Sequence, residues 1–172
     1  LLDLPLNVVA LVPAVENMPG SRATKPGDIV TRAAGLTVEI LNTDAEGRLI
    51  LCDALHLASE EKPALLIDMA TLTGAARVAL GPDLPATYCN DEEVAATLAR
   101  HSAAEADPLW RMPLWKPYRP MLESKVADLN NVSAGPMAGS ITAALFMQEF
   151  VGPGIPWVHL DVYAWNASAR PG

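Results

Sequence analysis

The chain has 172 residues, a length that suits one domain or most of a larger one. Hydrophobic residues make up 51% of it, so a sizeable core is available. The formal net charge of −8 argues against nucleic acid or an anionic membrane surface as the main partner. The two cysteines form no metal-binding or disulfide pattern, and no apolar run reaches the roughly 18 residues of a membrane span.

The first half of the chain alternates between strand and helix patterns. Residues 6–12 are apolar and rich in valine, which predicts a buried strand, and residues 16–28 form a loop with two Pro-Gly breakers. Residues 36–41 read as a second strand. A helix follows over 49–61, with Leu51, Ala54, Leu55 and Ala58 on one face, and it ends before Pro63.

Residues 64–69 are predicted to form a third buried strand, so residues 36–69 have the size of one βαβ unit with parallel strands. A helix is expected over 91–106 with Asp91 as its N-cap, a loop or extended segment over 107–120, a helix over 139–151 and a last strand over 157–162. The predicted fold is α/β: a three-layer sandwich with a mostly parallel central sheet flanked by helices.

Two carboxylates, Asp44 and Glu46, lie between a predicted strand and a predicted helix. In α/β sheets ligands bind outside the carboxyl ends of strands, and in an extended stretch residues i and i+2 point to the same side. Both carboxylates would then face one volume, where a divalent cation relieves their repulsion. Arg48 adds a positive fork suited to an anion or a developing oxyanion.

The same spacing fits a simpler interpretation. Acidic residues are favoured at a helix N-terminus by the helix dipole, and Arg48 could be their salt-bridge partner. Spacing alone leaves both alternatives open.

A longer pattern surrounds these residues. The octapeptide Asn42-Thr43-Asp44-Ala45-Glu46-Gly47-Arg48-Leu49 matches the signature of the leucyl aminopeptidase, or cytosol aminopeptidase, family residue for residue. Further segments resemble that family in the same order: residues 15–20 with 25–28, 67–75, 138–144 and 157–161. The chain therefore resembles the C-terminal catalytic part of this family nearly end to end.

The resemblance implies a site with two divalent metal ions, zinc or manganese. Glu46 would bridge both ions, Asp44 would ligate one or both, and Arg48 would bind a bicarbonate ion that serves as general base. Thr71, Leu72 and Gly74 would line the substrate site. From the residues alone, these three equally fit an ordinary strand-to-helix turn.

The resemblance also implies a cytoplasmic homo-hexamer that acts on peptides with a free N-terminus, with leucine-type preference. Residues 1–172 would be a catalytic domain that lacks its upstream part, which carries the remaining lysine and aspartate ligands, and its extreme C-terminus. The chain alone is then expected to be inactive. Two short segments depart from the family pattern, residues 132–137 and 162–166, and the second bears on the specificity pocket.

Other functions remain as alternatives. The same carboxylates could serve a phosphoesterase, although no basic anion pocket beyond Arg48 is visible. A non-catalytic structural or regulatory paralogue, including a DNA-binding one, would keep the fold, but the intact Asp44, Glu46 and Arg48 and the acidity argue against it. His159 and Cys52 are interpreted as core residues.

Overall fold

The computed structural model describes residues 4–15 and 20–165 of the chain. Within these ranges the strands are β1 (Ile29–Thr31), β2 (Thr37–Glu39), β3 (Leu66–Ala70), β4 (Ala86–Cys89), β5 (Trp110–Arg111), β6 (Leu129–Asn130) and β7 (Trp157–Asp161). The α-helices are α1 (Glu46–Glu60), α2 (Gly74–Leu80), α3 (Glu92–Ala104) and α4 (Gly139–Gln148). No helix in the described part of the chain is long and apolar enough to cross a membrane.

The larger sheet has the strand order β3-β7-β4-β5. β3 runs parallel to β7, and β4 runs parallel to β5 but antiparallel to β7. The β3–β7 register pairs Asp68 with His159 and Ala70 with Asp161, so both strands end at the same edge. This common edge presents the turn after β3 beside the last residue of β7.

Helices cover both faces of this sheet. Ala86 and Tyr88 of β4 pack with Ala76 of α2 and Ala144 of α4. Successive residues of a strand face opposite sides, and on the other side Cys89 packs with α3. The predicted α/β class with three layers is confirmed.

The three predicted helices are all present, as α1, α3 and α4. Asp91 caps α3 as expected, accepting hydrogen bonds from the N–H groups of Glu93 and Val94 at 2.9 Å each. The buried face of α1 includes Leu49, Cys52 and Leu55, which enter the main core with Phe146 and Trp157. Cys52 is therefore a core residue, as predicted.

Two strand predictions are wrong. Residues 6–12 form no strand, and their apolar side chains are exposed, because no described segment pairs with them or covers them. Residues 36–69 are not one βαβ unit: β2 lies in a small separate sheet of order β1-β2-β6, where β1 and β2 form an antiparallel hairpin. Apolar periodicity identified the strand at 36–41 but carried no information about which strand lies beside it.

The third predicted strand exists as β3, but it is not buried on both faces. It is an edge strand, and the side chains of Ile67 and Met69 are 47% and 66% exposed. β4 and β5 were not predicted; β5 lies within the segment 107–120 expected to be loop or extended. Residues 20–28 form the expected loop, whereas residues 16–19 of that loop lie outside the described residues.

Candidate functional site

The segment with the two carboxylates is a tight turn into a helix. Residues Thr43–Ala45 form a 3-10 turn, and Glu46 begins α1. The side chain of Asn42 caps the turn by accepting a hydrogen bond from the N–H of Asp44 at 2.9 Å. The expectation of an extended stretch is therefore wrong, and strand alternation gives no reason for the two carboxylates to share a side. Both side chains belong to exposed residues.

A buried asparagine fixes the start of this turn. Asn131, which follows β6 and is fully buried, accepts hydrogen bonds from the N–H groups of Leu41 and Asn42 at 2.8 and 3.2 Å. Its amide also donates to the carbonyl of Asn42 at 2.6 Å. Sequence reasoning missed this role, for which the only signal was a pair of asparagines after a short apolar segment.

Arg48 is the buried charge of the site. Arg48 belongs to the first turn of α1 and is 8% exposed. Its Nε has no hydrogen-bond partner among the described residues. Burial lowers the pKa of Arg48 to about 10, against an opposing effect from the negative charge of Asp161. That pKa is far above neutrality, so the guanidinium stays charged.

The salt-bridge interpretation of Arg48 does not hold. Neither Asp44 nor Glu46 forms an ion pair with Arg48, and neither carboxylate pairs with another cation in the described ranges. The helix-dipole part of that interpretation still applies to Glu46, which sits in the first turn of α1.

The turn between β3 and α2 approaches the same place. A Cβ placed on Gly47 would lie 3.8 Å from the Cδ1 of Leu72, so the start of α1 packs against this turn. Thr73 caps α2 by accepting a hydrogen bond from the N–H of Ala76 at 3.1 Å. The structure thus brings the carboxylate turn and residues 71–74 together, although 23 or more residues of chain separate them.

A cleft of about 300 Å³ borders residues 71–74, with Thr71, Thr73, Gly74 and Asp161 in its wall. Tyr163 lies at the same cleft, with the guanidinium of Arg77 5.1 Å from its ring centroid. Tyr163, but not Arg77, belongs to the segment 162–166 where the sequence departs from the family pattern.

Buried polar residues behind the cleft join the sheet to this turn. Asp161, the last residue of β7, accepts hydrogen bonds from the backbone N–H groups of Leu72 and Thr73. Below it, His159 is fully buried and its Nδ1 lies 2.6 Å from a carboxylate oxygen of Asp68. His159 is a core residue as predicted, but it is only half satisfied, because its buried Nε2 has no hydrogen-bond partner among the described residues. The role of Asp161 was not predicted.

The described residues do not form a complete metal site by themselves. They contain no group of three or more histidine, cysteine, aspartate or glutamate side chains placed to hold an ion. Asp44 and Glu46 are exposed carboxylates without cationic partners beside a helix start, which is the oxygen chemistry that zinc, manganese or magnesium accepts. The donor set fits a divalent ion in kind but is too small to complete its coordination, which takes four or more ligands.

The protein is therefore an α/β domain in which a carboxylate turn, a buried arginine and a strand-to-helix turn lie close together. Residues 1–171 match the model of the cytosol aminopeptidase family, catalytic domain, and the chain belongs to that family. It is 52% identical over 173 residues to a probable cytosol aminopeptidase of Paraburkholderia xenovorans, covering 99% of the chain and 34% of the relative. It is 50% identical over 168 residues to the corresponding protein of Syntrophotalea carbinolica, covering 96% and 33%.

Solved structures agree with this assignment. The crystal structure of the cytosol aminopeptidase from Coxiella burnetii superposes with a TM-score of 0.87 at 56% identity, covering 91% of this chain and 34% of that one. A mutant of tomato leucine aminopeptidase superposes with a TM-score of 0.86 at 43% identity, covering 90% and 31%. The chain thus spans about a third of the length of the curated relatives and solved structures that it matches.

Proposed function

We propose that the full-length protein is a metal-dependent aminopeptidase that releases N-terminal residues, leucine above all, from peptides. Residues 42–48 and 71–74 would form one part of its active site. The observation that carries the proposal is the approach of these two segments, in which a Cβ on Gly47 would lie 3.8 Å from Leu72. Membership of the cytosol aminopeptidase family supports the reaction class.

Asp44 and Glu46 would supply carboxylate oxygens to two divalent ions, zinc or manganese, together with ligands from the rest of the protein. Bound ions of this kind supply a Lewis acid that polarises a carbonyl and lowers the pKa of water. The exposure of both carboxylates and their lack of cationic partners among the described residues support this role.

Arg48 would hold an anion beside the reacting groups, either a bicarbonate ion or the oxyanion that develops on the substrate. A charged guanidinium that is 8% exposed and forms no ion pair with a carboxylate among the described residues is suited to this task. In a site that excludes water, such a charge is not screened, and its interaction with an anion is strengthened.

Thr71, Leu72 and Gly74 would line the substrate site and orient the peptide. Their turn borders the cleft of about 300 Å³, whose other wall holds Tyr163. The N–H of Leu72 already donates to Asp161 at 3.0 Å, so we assign substrate contacts of Leu72 to its carbonyl or side chain.

The test uses the full-length protein and compares Asp44→Asn and Glu46→Gln with Glu61→Gln, an exposed glutamate at the other end of α1. Divalent-ion content and release of leucine from leucyl peptides are measured. We expect the first two variants to lose bound metal and at least about 100-fold in kcat, in line with removal of a metal ligand, and Glu61→Gln to behave as wild type. A protein that binds two ions per chain yet leaves leucine amides uncut would refute the assignment.

Family resemblance extends the proposal to a cytoplasmic homo-hexamer. The exposed Trp110 and Trp115, which are 56% and 53% exposed, support an interface between subunits. Light scattering of the full-length protein measures the subunit number. Residues 1–172 alone should be inactive, and metal-dependent release of leucine by this segment would contradict that expectation.

A further inference from the structure

Asp161 is a buried carboxylate at the edge where β3 and β7 end. The residue is 3% exposed, yet it receives four hydrogen bonds. Its Oδ1 accepts from the N–H groups of Leu72 and Thr73 at 3.0 and 3.1 Å. Its Oδ2 accepts from the hydroxyls of Thr73 and Ser140 at 2.5 and 3.2 Å. A buried carboxylate with this many donors is held in one orientation.

The two N–H bonds determine how the turn is presented. In a trans peptide the N–H and the C=O point in opposite directions. Because the N–H groups of Leu72 and Thr73 both point at Asp161, the carbonyls of Thr71 and Leu72 point away from it. Asp161 therefore anchors two successive peptide planes and turns two acceptor oxygens away from the core.

Hydrogen bonds from β4 and α4 stabilise Asp161 in its position. The hydroxyl of Tyr88 in β4 donates to Ser140 at 2.7 Å, and Ser140 in turn donates to Asp161. Ser140 is the second residue of α4, so the chain of hydrogen bonds joins β4, α4 and β7 to the turn. Burial raises the pKa of Tyr88 to about 12, so this donor keeps its proton at neutral pH.

We propose that Asp161 is a positioning residue for substrate: it holds residues 71–74 so that the carbonyls of Thr71 and Leu72 accept hydrogen bonds from the substrate's backbone N–H or amino groups. The inference rests on the proposed aminopeptidase function. Asp161 acts through the turn and does not itself touch substrate.

The experiment is steady-state kinetics of the full-length protein with leucyl dipeptides and tripeptides. Asp161→Asn keeps the shape of the side chain but removes its charge and replaces one acceptor by a donor. The matched control is Asp68→Asn, a half-buried carboxylate on the neighbouring strand, which accepts from Trp157 at 2.7 Å and lies 2.6 Å from His159. No hydrogen bond joins Asp68 to residues 71–74 in the described part of the chain.

Contacts made equally in the ground state and the transition state appear in KM, whereas kcat changes little. We expect Asp161→Asn to raise KM about tenfold, the equivalent of one hydrogen bond, with kcat within about threefold and metal content unchanged. Asp68→Asn should lower stability and leave KM unaltered. Hydrogen exchange of the Leu72 and Thr73 amides should speed up in Asp161→Asn only.

A second pair of variants decides the matter if Asp161→Asn does not fold. Thr73→Val removes the hydroxyl donor to Asp161, and Thr73→Ser keeps it, so KM should rise for the valine variant and not for the serine variant. Unaltered KM in Asp161→Asn, or an equal rise in Asp68→Asn, would overturn the inference while leaving the aminopeptidase assignment intact. An inactive wild-type protein would instead overturn the proposed function, and this inference with it.

Discussion

The guanidinium carbon of Arg48 lies 5.8 Å from the centroid of the Phe146 ring, so the buried cation of α1 rests on an aromatic side chain of α4. A cation over an aromatic face gains about 0.5–2 kcal/mol, far less than the cost of removing a charge from water. Phe146 therefore orients the guanidinium without neutralising it. The remaining binding capacity of Arg48 is available for an anion.

Replacing Arg48 by methionine should separate activity from stability. Removing a buried cation that forms no ion pair in the described part of the chain is expected to leave the free energy of unfolding unchanged or to raise it. Loss of the anion-binding charge should lower kcat of the full-length protein by about 100-fold or more. Urea unfolding and peptide hydrolysis measure the two effects, with Arg48→Lys as a variant that keeps the charge but loses the planar fork. A stability loss above about 2 kcal/mol would mark Arg48 as structural.

Replacing Asn131 by alanine should loosen the carboxylate turn. The change removes three partly buried hydrogen bonds to Leu41 and Asn42, at a cost of about 2–4 kcal/mol. We also expect divalent-ion content to fall, because the turn that carries Asp44 starts at Asn42. Asn90→Ala is the control, since Asn90 holds Ile155 and Trp157 by similar bonds away from the site. Equal metal content in the two variants would contradict the proposed role of Asn131.

Three of the four α-helices, α1, α3 and α4, were predicted from sequence because their signals are local. Asp91 at the start of α3 and the apolar stripe of α1 lie within a few residues of the structure that they determine. The strand predicted at residues 6–12 was wrong for the opposite reason: a strand requires a neighbour, and apolar composition does not supply one.

The hydrogen bonds of the site could not be predicted from local sequence patterns. Leu72 and Asp161 are 89 residues apart, as are Asn42 and Asn131, and each pair meets only after β7 and β6 have taken their places in the sheets. The octapeptide at 42–49 identified Asp44, Glu46 and Arg48 through family resemblance. It gave no sign that Arg48 is buried. Nor did it show that Asp44 lies on a 3-10 turn and Glu46 in the first turn of α1, rather than both on an extended strand.

Ile155 and Ser59 lie so close to Gly152 that adding one methyl group there is expected to cause a steric clash. A Cβ there would lie 2.9 Å from Cδ1 of Ile155 and 3.1 Å from Cβ of Ser59, so Gly152→Ala should destabilise the protein by about 1–3 kcal/mol. Gly20→Ala is the matched control, because nothing lies within 4 Å of a Cβ placed on that residue. Thermal unfolding of the two variants should differ clearly. Equal melting temperatures would mean that the segment near Ile155 shifts freely.

The raised pKa of the Cys52 thiol predicts that the folded protein loses stability at alkaline pH. Burial raises the pKa of its thiol from 9.0 to about 11 in the folded protein. The folded state therefore binds the proton more tightly than the unfolded state, so this contribution to stability is complete below pH 9 and is lost as pH rises through 11. The full effect is at most about 3 kcal/mol, at 1.36 kcal/mol per pKa unit.

The measurement is urea unfolding of wild type and Cys52→Ala at pH 8 and pH 10.5. Because other groups titrate in both proteins alike, the wild type should lose more stability than the variant over this interval. An equal loss of stability in wild type and Cys52→Ala would show that the thiol ionises equally easily in the folded and unfolded states.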